Sequence, residues 1–284
     1  MHWTWSIDSN RRCRASESSL PTYTLSSAAC YGPLTKPHMR DTRIHVPAAL
    51  ERDSVVELPP SGAEHVARAL RMQIGQALTV FNGDGRDHAA EIVRIDKRGV
   101  AVQVTSTGID VASESPLRIT LAQGVARGEK MDWIVQKATE LGVHEIVPLI
   151  TERTEVKLDA ERAQRRVAHW QAVVIAACEQ SGRAVVPKVA PPVKLADWLA
   201  RLGDDAGVRL SLDPQSTLVA RTLDLDRLTA TLIVGPEGGL AKNDLDQLAE
   251  AGFRGLRLGP RILRTETAGI AAISALQTLF GDLG

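Results

Sequence analysis

The sequence has little that would mark a charged partner, a membrane or a metal. Lysine and arginine together number 34, as do aspartate and glutamate, so the formal net charge is zero. No global positive field draws in nucleic acid, and any such contact has to come from a local basic face. No apolar run approaches the roughly 20 residues that a helix needs to cross a bilayer, so no membrane role is expected. Only three cysteines occur, Cys13, Cys30 and Cys178. They form neither an even disulfide set nor a metal-binding spacing, which suits a reducing cytoplasm. His65, His144 and His169 stand isolated, and no metal is expected. The phosphate-cradling Gly-x-x-x-x-Gly-Lys-Ser/Thr is missing, as is Gly-x-Gly-x-x-Gly after a strand. Gly83-Asp84-Gly85 lies in a hairpin signal, where glycine serves the turn. There are no internal repeats.

Residues 1–38 are rich in Ser, Thr and Pro, and Trp3, Trp5, Arg11, Arg12 and Arg14 follow no apolar period. No signal-peptide core is present, and a disordered or non-native N-terminal extension is expected there. From Arg43 to about Thr107 the signals are β, and Ile109 to Pro116 reads as a linker. Arg43–Val46, Leu78–Phe81, Ala89–Ile95 and Val100–Val104 read as strands, with a short helix over Glu64–Met72. This is a compact, barrel-like module. From 113 to 284 the pattern alternates strand and helix. Leu117–Gln123, Glu145–Ile150, Val208–Leu212, Thr231–Val234 and Gly255–Leu258 read as strands. Gly128–Leu141, Ala160–Ser181 and Glu266–Phe280 read as helices. Such alternation predicts an α/β fold, a parallel sheet covered by helices. The last helix carries Ile270, Ile273, Leu276 and Phe280 on one face and Ala268, Ala271, Ala272 and Ala275 on another. The alanine face calls for a second close partner, and a homodimer is expected.

Two glycine–proline corners dominate the second half. Thr231-Leu232-Ile233-Val234 runs into Gly235-Pro236-Glu237-Gly238-Gly239-Leu240, and Leu256-Arg257-Leu258 runs into Gly259-Pro260-Arg261-Ile262-Leu263-Arg264. Both corners stand at the C-terminal ends of strands, the edge of an open α/β sheet where ligands collect. Glycine there lets main chain come close to a bound molecule, and a side chain at Gly238 is expected to obstruct the pocket. Thr265 can cap the last helix and Glu266 can complement its dipole. Capping leaves Arg261 and Arg264 unexplained.

These corners, ending in Thr265-Glu266-Thr267-Ala268, resemble the signature of the SPOUT methyltransferases with a deep trefoil knot. Within them, the chain is similar to the bacterial small-subunit ribosomal RNA uridine-N3 methyltransferases. Arg43, Gly128-Glu129-Lys130-Met131-Asp132, Gln136 to Gly142, Thr151-Glu152-Arg153 and Glu179-Gln180-Ser181-Gly182-Arg183 carry the resemblance further. It runs from about Met39 to the end.

The resemblance implies a PUA-like β-barrel over 39–112 and a SPOUT domain over 113–284, with a knotted parallel sheet, helices on both faces and a homodimer. S-adenosylmethionine would be held by Leu212, Val234, Gly235, Pro236, Glu237, Gly238, Gly239, Leu258, Gly259, Ile262, Leu263 and Thr267. Methyl transfer from a sulfonium requires no metal; the protein positions the reactants and stabilises developing charge. Arg264 is the first choice for steadying a deprotonated uracil, with Arg261 or Arg153 second, and Glu266 and Thr267 would orient Arg264 or the substrate. No general base stands out. The 16S ribosomal RNA, within the small subunit, would meet Arg43, Arg68, Arg71, Lys130 and Arg183, joined by Lys137. Methylation at another RNA position, such as a ribose 2′-oxygen, and a non-catalytic RNA-binding module are the alternatives.

Overall fold

The computed structural model describes residues 42–156, 159–203, 207–225 and 227–284. The expectation for residues 1–38 therefore lies outside the described residues, as do Cys13 and Cys30. From Thr42 onward the described residues form one compact unit built on two sheets.

The first sheet takes β1 (Arg43–His45), β2 (Val55–Glu57), β3 (Ala77–Phe81), β4 (Arg86–Asp96), β5 (Gly99–Val104) and β6 (Ile109–Asp110). Its order is β1-β3-β4-β5-β2, with β6 on β4. Only β1 and β3 run parallel; the other pairs are antiparallel. Gly83 and Gly85 take φ of 96° and 92° in the β3–β4 turn, where a Cβ would be strained. Ile44, Val66, Val80, Ile92 and Val102 fill the interior between the strands and a short helical segment. That segment starts earlier than its sequence pattern suggests. α1 (Pro60–Glu64) begins with proline in its first turn and passes into a π-turn over His65–Ala69. It ends before Arg71, which takes φ 53°, outside helical space.

The second sheet is parallel throughout. Its strands are β7 (Arg118–Gly124), β8 (Glu145–Ile150), β9 (Lys188–Val189), β10 (Val193–Lys194), β11 (Val208–Leu212), β12 (Thr229–Val234) and β13 (Arg254–Leu256). The order is β10-β8-β7-β12-β11-β13, with β9 on β8. β7 and β12 sit at the centre, buried along nearly their whole length, which is why they read as continuous apolar runs. The helices are α2 (Glu129–Glu140), α3 (Ala160–Ser181), α4 (Leu195–Leu199), α5 (Lys242–Glu250) and α6 (Thr265–Phe280). Leu121, Ile134, Trp170, Leu232 and Ile273 belong to one core, while Ala122, Leu149, Ile233 and Leu248 belong to another on the opposite face of the sheet. Burying each such large side chain contributes about 1.5–3 kcal/mol.

The helix boundaries follow from local chemistry. Asp159 caps α3 by accepting from Arg162 N–H at 2.8 Å, and Gly182 closes it at φ 86°. Gly142, at φ 81°, follows α2. α6 packs on β7, β12 and α2, so the sheet and a helix within the chain account for much of its all-round apolar character. Gly269 lets it approach the strand ends: a Cβ there would lie 3.4 Å from Val234 and 3.5 Å from Gln123. Ala272 is buried in the core, while Ala268, Ala271 and Ala275 stay partly exposed. The expected strand over Gly255–Leu258 is shorter. It ends at Leu256 because Arg257 N–H turns away to Leu218 C=O at 2.9 Å.

Two arginines lie where the two sheets meet, and Arg43 bonds across the join. Arg43 ion-pairs with Asp87 at 2.6 Å, donates to Cys178 C=O at 2.8 Å and stacks 4.6 Å over the Phe81 ring. Arg183, only 3 % exposed, pairs with Glu114 and donates to Thr139 and Val143 carbonyls, both at 2.9 Å. His45 N–H reaches the Glu179 carboxylate at 3.0 Å. Arg43 and Arg183 were expected at an RNA surface. Both instead spend their donors on carbonyls and carboxylates of the chain itself: Arg43 ties the β module to the end of α3, and Arg183 ties the end of α3 to Glu114 and to the end of α2.

Candidate functional site

The two Gly-Pro corners meet at the C-terminal edge of the parallel sheet. Thr265 lies between them: its hydroxyl donates to Gly235 C=O at 2.6 Å and accepts from Gln123 Nε2 at 3.0 Å. The expectation that Thr265 caps α6 is therefore corrected. It is the first helical residue, and its hydroxyl is taken by the neighbouring corner. Gln123, fully buried at the end of β7, also donates to Gly124 C=O at 3.0 Å.

Close packing demands the glycines here. A Cβ on Gly124 would sit 2.5 Å from Pro236, and one on Gly235 would sit 2.9 Å from the Gly239–Leu240 peptide. Gly239 and Gly259 differ. They hold φ of 70° and 104°, and a Cβ on either would meet nothing within 4 Å. Open space lies beside their main chain. Gly238 does not face that space as expected; its Cβ would lie 3.1 Å from Arg153 Cβ, so a larger residue strikes Arg153 first.

The corners enclose a cavity of about 410 Å³, within the range for small-molecule sites. Leu212, Val234, Gly235, Pro236, Glu237, Gly238, Gly239, Leu258, Gly259, Ile262 and Leu263 line it, as does Arg264. Arg261, Thr265, Ala268, Asp213, Pro214, Leu240, Leu245 and Leu256 complete the wall. Glu266 and Thr267 are not in it. They are the second and third residues of α6, and the Glu266 Oε2 atom is buried without a hydrogen-bond partner among the described residues. Arg261 and Arg264 are exposed and take no ion pair among the described residues. Asp213 escaped sequence reasoning, although an acid directly after an apolar strand was its available signal.

A rim of polar contacts surrounds the corners. Glu237 accepts from Arg127 N–H at 3.0 Å and Lys130 Nζ at 3.1 Å. Burial alone would raise its pKa, but these bonds outweigh burial and hold the carboxyl below its ordinary value. Arg153 lies outside the wall and donates to Gly238 C=O at 2.9 Å. Asp244 of α5 accepts from Ala241 N–H at 2.9 Å and from Glu152 N–H at 3.3 Å. Arg127 pairs with Glu155.

The other expected RNA contacts are scattered. Arg68 is exposed and pairs with Glu64, Arg71 is exposed, and Lys137 pairs with Glu140. Arg68 lines a separate groove with Lys97 and Arg98, between α1 and the β4–β5 turn. No group of three or more His, Cys, Asp or Glu able to hold a metal occurs among the described residues. No helix among them is long and apolar enough to cross a membrane.

Comparison with known proteins agrees with this geometry. Residues 113–277 match the model of an RNA methyltransferase domain, and residues 58–105 match that of an RNA methyltransferase PUA domain. The ribosomal RNA small subunit methyltransferase E of Buchnera aphidicola from Acyrthosiphon pisum is 34 % identical, over 84 % of this chain and 94 % of that protein. Its Bacillus subtilis namesake is 33 % identical, over 75 % and 85 %. Among solved structures, a Legionella pneumophila methyltransferase with bound S-adenosylmethionine superposes with a TM-score of 0.82. It is 40 % identical, over 86 % of this chain and 100 % of that one. A Neisseria gonorrhoeae ribosomal RNA small subunit methyltransferase E, also bound to S-adenosylmethionine, gives 0.79 and 36 %, with the same coverage. With its two domains matched in order and its relatives spanned almost end to end, this chain belongs to the RNA methyltransferase family, alongside the ribosomal RNA small subunit methyltransferases E.

Proposed function

We propose that this protein methylates N3 of a uridine in 16S ribosomal RNA, using S-adenosylmethionine. The observation that carries the reading is the cavity between the two Gly-Pro corners, with two unpaired guanidiniums on its wall. The wall fits an adenosyl sulfonium. Leu212, Leu240, Leu256 and Leu258 offer apolar surface, and the main chain at Gly239 and Gly259 is open to close approach. When bound, the cofactor supplies an electrophilic methyl group. Arg264 would lie against the uracil oxygens and favour the deprotonated ring, with Arg261 beside it. Arg153 acts at one remove, by holding the Gly238 carbonyl. Glu266 and Thr267, off the wall, would act only through the first turn of α6. The names of the relatives supply the ribosomal substrate, and the uridine N3 position comes with the family resemblance.

RNA phosphates would meet Lys130 beside the cavity and Arg68, Arg71, Lys97 and Arg98 on the β module, giving a salt-dependent affinity. The partly exposed alanines of α6, with Leu279 46 % exposed nearby, support a homodimer through that helix. Such a protein works in the cytoplasm, on the small subunit or its RNA. Mass spectrometry of ribosomal RNA from cells with and without the protein tests the reading. The expected result is loss of one N3-methyluridine from 16S RNA, restored by the wild-type gene. An unchanged modification profile overturns it.

A further inference from the structure

We propose that Asp213 takes the ribose diol of the adenosyl cofactor and so fixes which way round the molecule lies. The inference rests on the cofactor reading above and adds a role for a side chain outside the Gly-Pro corners.

Asp213 directly follows β11, the strand between β12 and β13, and it lines the cavity with its neighbours Leu212 and Pro214. Its main chain continues the ladder, since Asp213 N–H donates to Leu256 C=O at 3.0 Å. Its Oδ1 accepts from Gln215 N–H at 2.9 Å and so closes a turn. That turn uses one oxygen, and asparagine would serve it equally. The second oxygen has no hydrogen-bond partner among the described residues, and it lies over Gly255, where a Cβ would come within 3.2 Å. Glycine at 255 therefore keeps the space beneath the carboxylate clear.

The cavity wall carries two acids, Asp213 and Glu237, and two bases, Arg261 and Arg264. Glu237 is already ion-paired with Lys130 and accepts from Arg127 N–H, which leaves Asp213 as the acid on this wall with no cationic partner among the described residues. The two bases follow Gly259 on the other corner. The cavity thus offers both an acceptor for hydroxyl donors and cations suited to a carboxylate. An adenosyl amino acid has both complements: vicinal hydroxyls on its sugar and a carboxylate on its tail. A carboxylate at a strand's C-terminal end is also how open α/β sheets hold the ribose of dinucleotides.

Calorimetry on Asp213→Asn tests this, because asparagine keeps the turn and removes the charge. The probes are S-adenosylhomocysteine, 5′-methylthioadenosine, which lacks the amino-acid tail, and the 2′,3′-dideoxy form of 5′-methylthioadenosine. Charge-assisted bonds exceed neutral ones in strength, so the variant should bind the first two about ten- to thirtyfold more weakly. The wild type should lose a similar factor when the diol is removed, and the variant should lose nothing further. Equal melting temperatures without ligand would place the effect in binding. If the variant weakens S-adenosylhomocysteine but not 5′-methylthioadenosine, the carboxylate serves the ammonium and the proposal fails. If neither changes, Asp213 is a turn residue only. A wild-type protein that binds none of these probes overturns the cofactor reading itself.

Discussion

Replacing Thr265 by valine removes one hydroxyl and keeps the side chain's shape. In the native structure that hydroxyl donates to Gly235 C=O at 2.6 Å and accepts from Gln123 Nε2 at 3.0 Å, in a residue only 8 % exposed. Without it, Gly235 C=O keeps only Gln123 Nε2 at 3.5 Å, too long for a good bond. The Gln123 amide retains Gly124 C=O at 3.0 Å. One partly buried acceptor therefore loses its donor, at a cost of about 1–3 kcal/mol. At about 2–4 °C per kcal/mol for a chain of this size, Tm falls by about 2–12 °C. The lost bond spans both corners, so the cavity loosens as well, and the Kd for S-adenosylhomocysteine should rise about tenfold, some 1.4 kcal/mol. Thr265→Ser keeps the hydroxyl and should restore both quantities. Differential scanning calorimetry and titration calorimetry read them. A valine variant with unchanged Tm and Kd, or a serine variant as damaged as the valine one, refutes the bridging role.

Other variants separate site from scaffold. Arg264→Ala should leave cofactor Kd within about twofold and cut kcat by about 10²–10³, as expected when a positioned charge is removed; single-turnover kinetics on 16S RNA fragments would show it. Arg183→Met leaves Glu114 and two buried carbonyls without their donor, so it should cost about 3–5 kcal/mol in denaturant unfolding, with no change in the salt slope of RNA binding. Burial pushes the Cys178 thiol up to about 12. The thiolate is therefore scarce in the folded protein at pH 8, and iodoacetamide should leave Cys178 unlabelled in peptide mapping until the protein is denatured.

Legibility in the sequence tracked how local each cause was. α3 was readable because Asp159, its apolar period and Gly182 all lie within its own span. The corners were readable because Gly, Pro and an apolar strand follow one another directly. Thr265 was misread because its partner is Gly235, thirty positions away; from sequence alone, a threonine before a helix looks like a cap. Arg43 and Arg183 were misread for the same reason, since solvated and buried arginines share a spelling, and only their long-range partners distinguish them. β9, β10 and α4 went unseen because elements of two to five residues carry no period to count. Asp213 was passed over because its relation to Gly255 exists only after β11 and β13 pair.

The contacts around the cavity divide into two kinds with different consequences. Beneath it, Gln123, Thr265 and Gly235 are joined by neutral bonds, two of their side chains buried, and nothing dissolved can compete for them. Around the rim, Lys130 holds Glu237 and Arg153 holds the Gly238 carbonyl, both at partly or fully exposed positions. Exposed pairs of that kind contribute about 0–1 kcal/mol each. A phosphate arriving at Lys130 or Arg153 would meet a cation whose present partner is weakly bound, and taking it would remove one contact from the loop over Glu237 to Gly239 while Arg127 N–H still holds Glu237. The floor of the site is therefore set by folding, while the rim can exchange its protein partners for a polyanion at little cost.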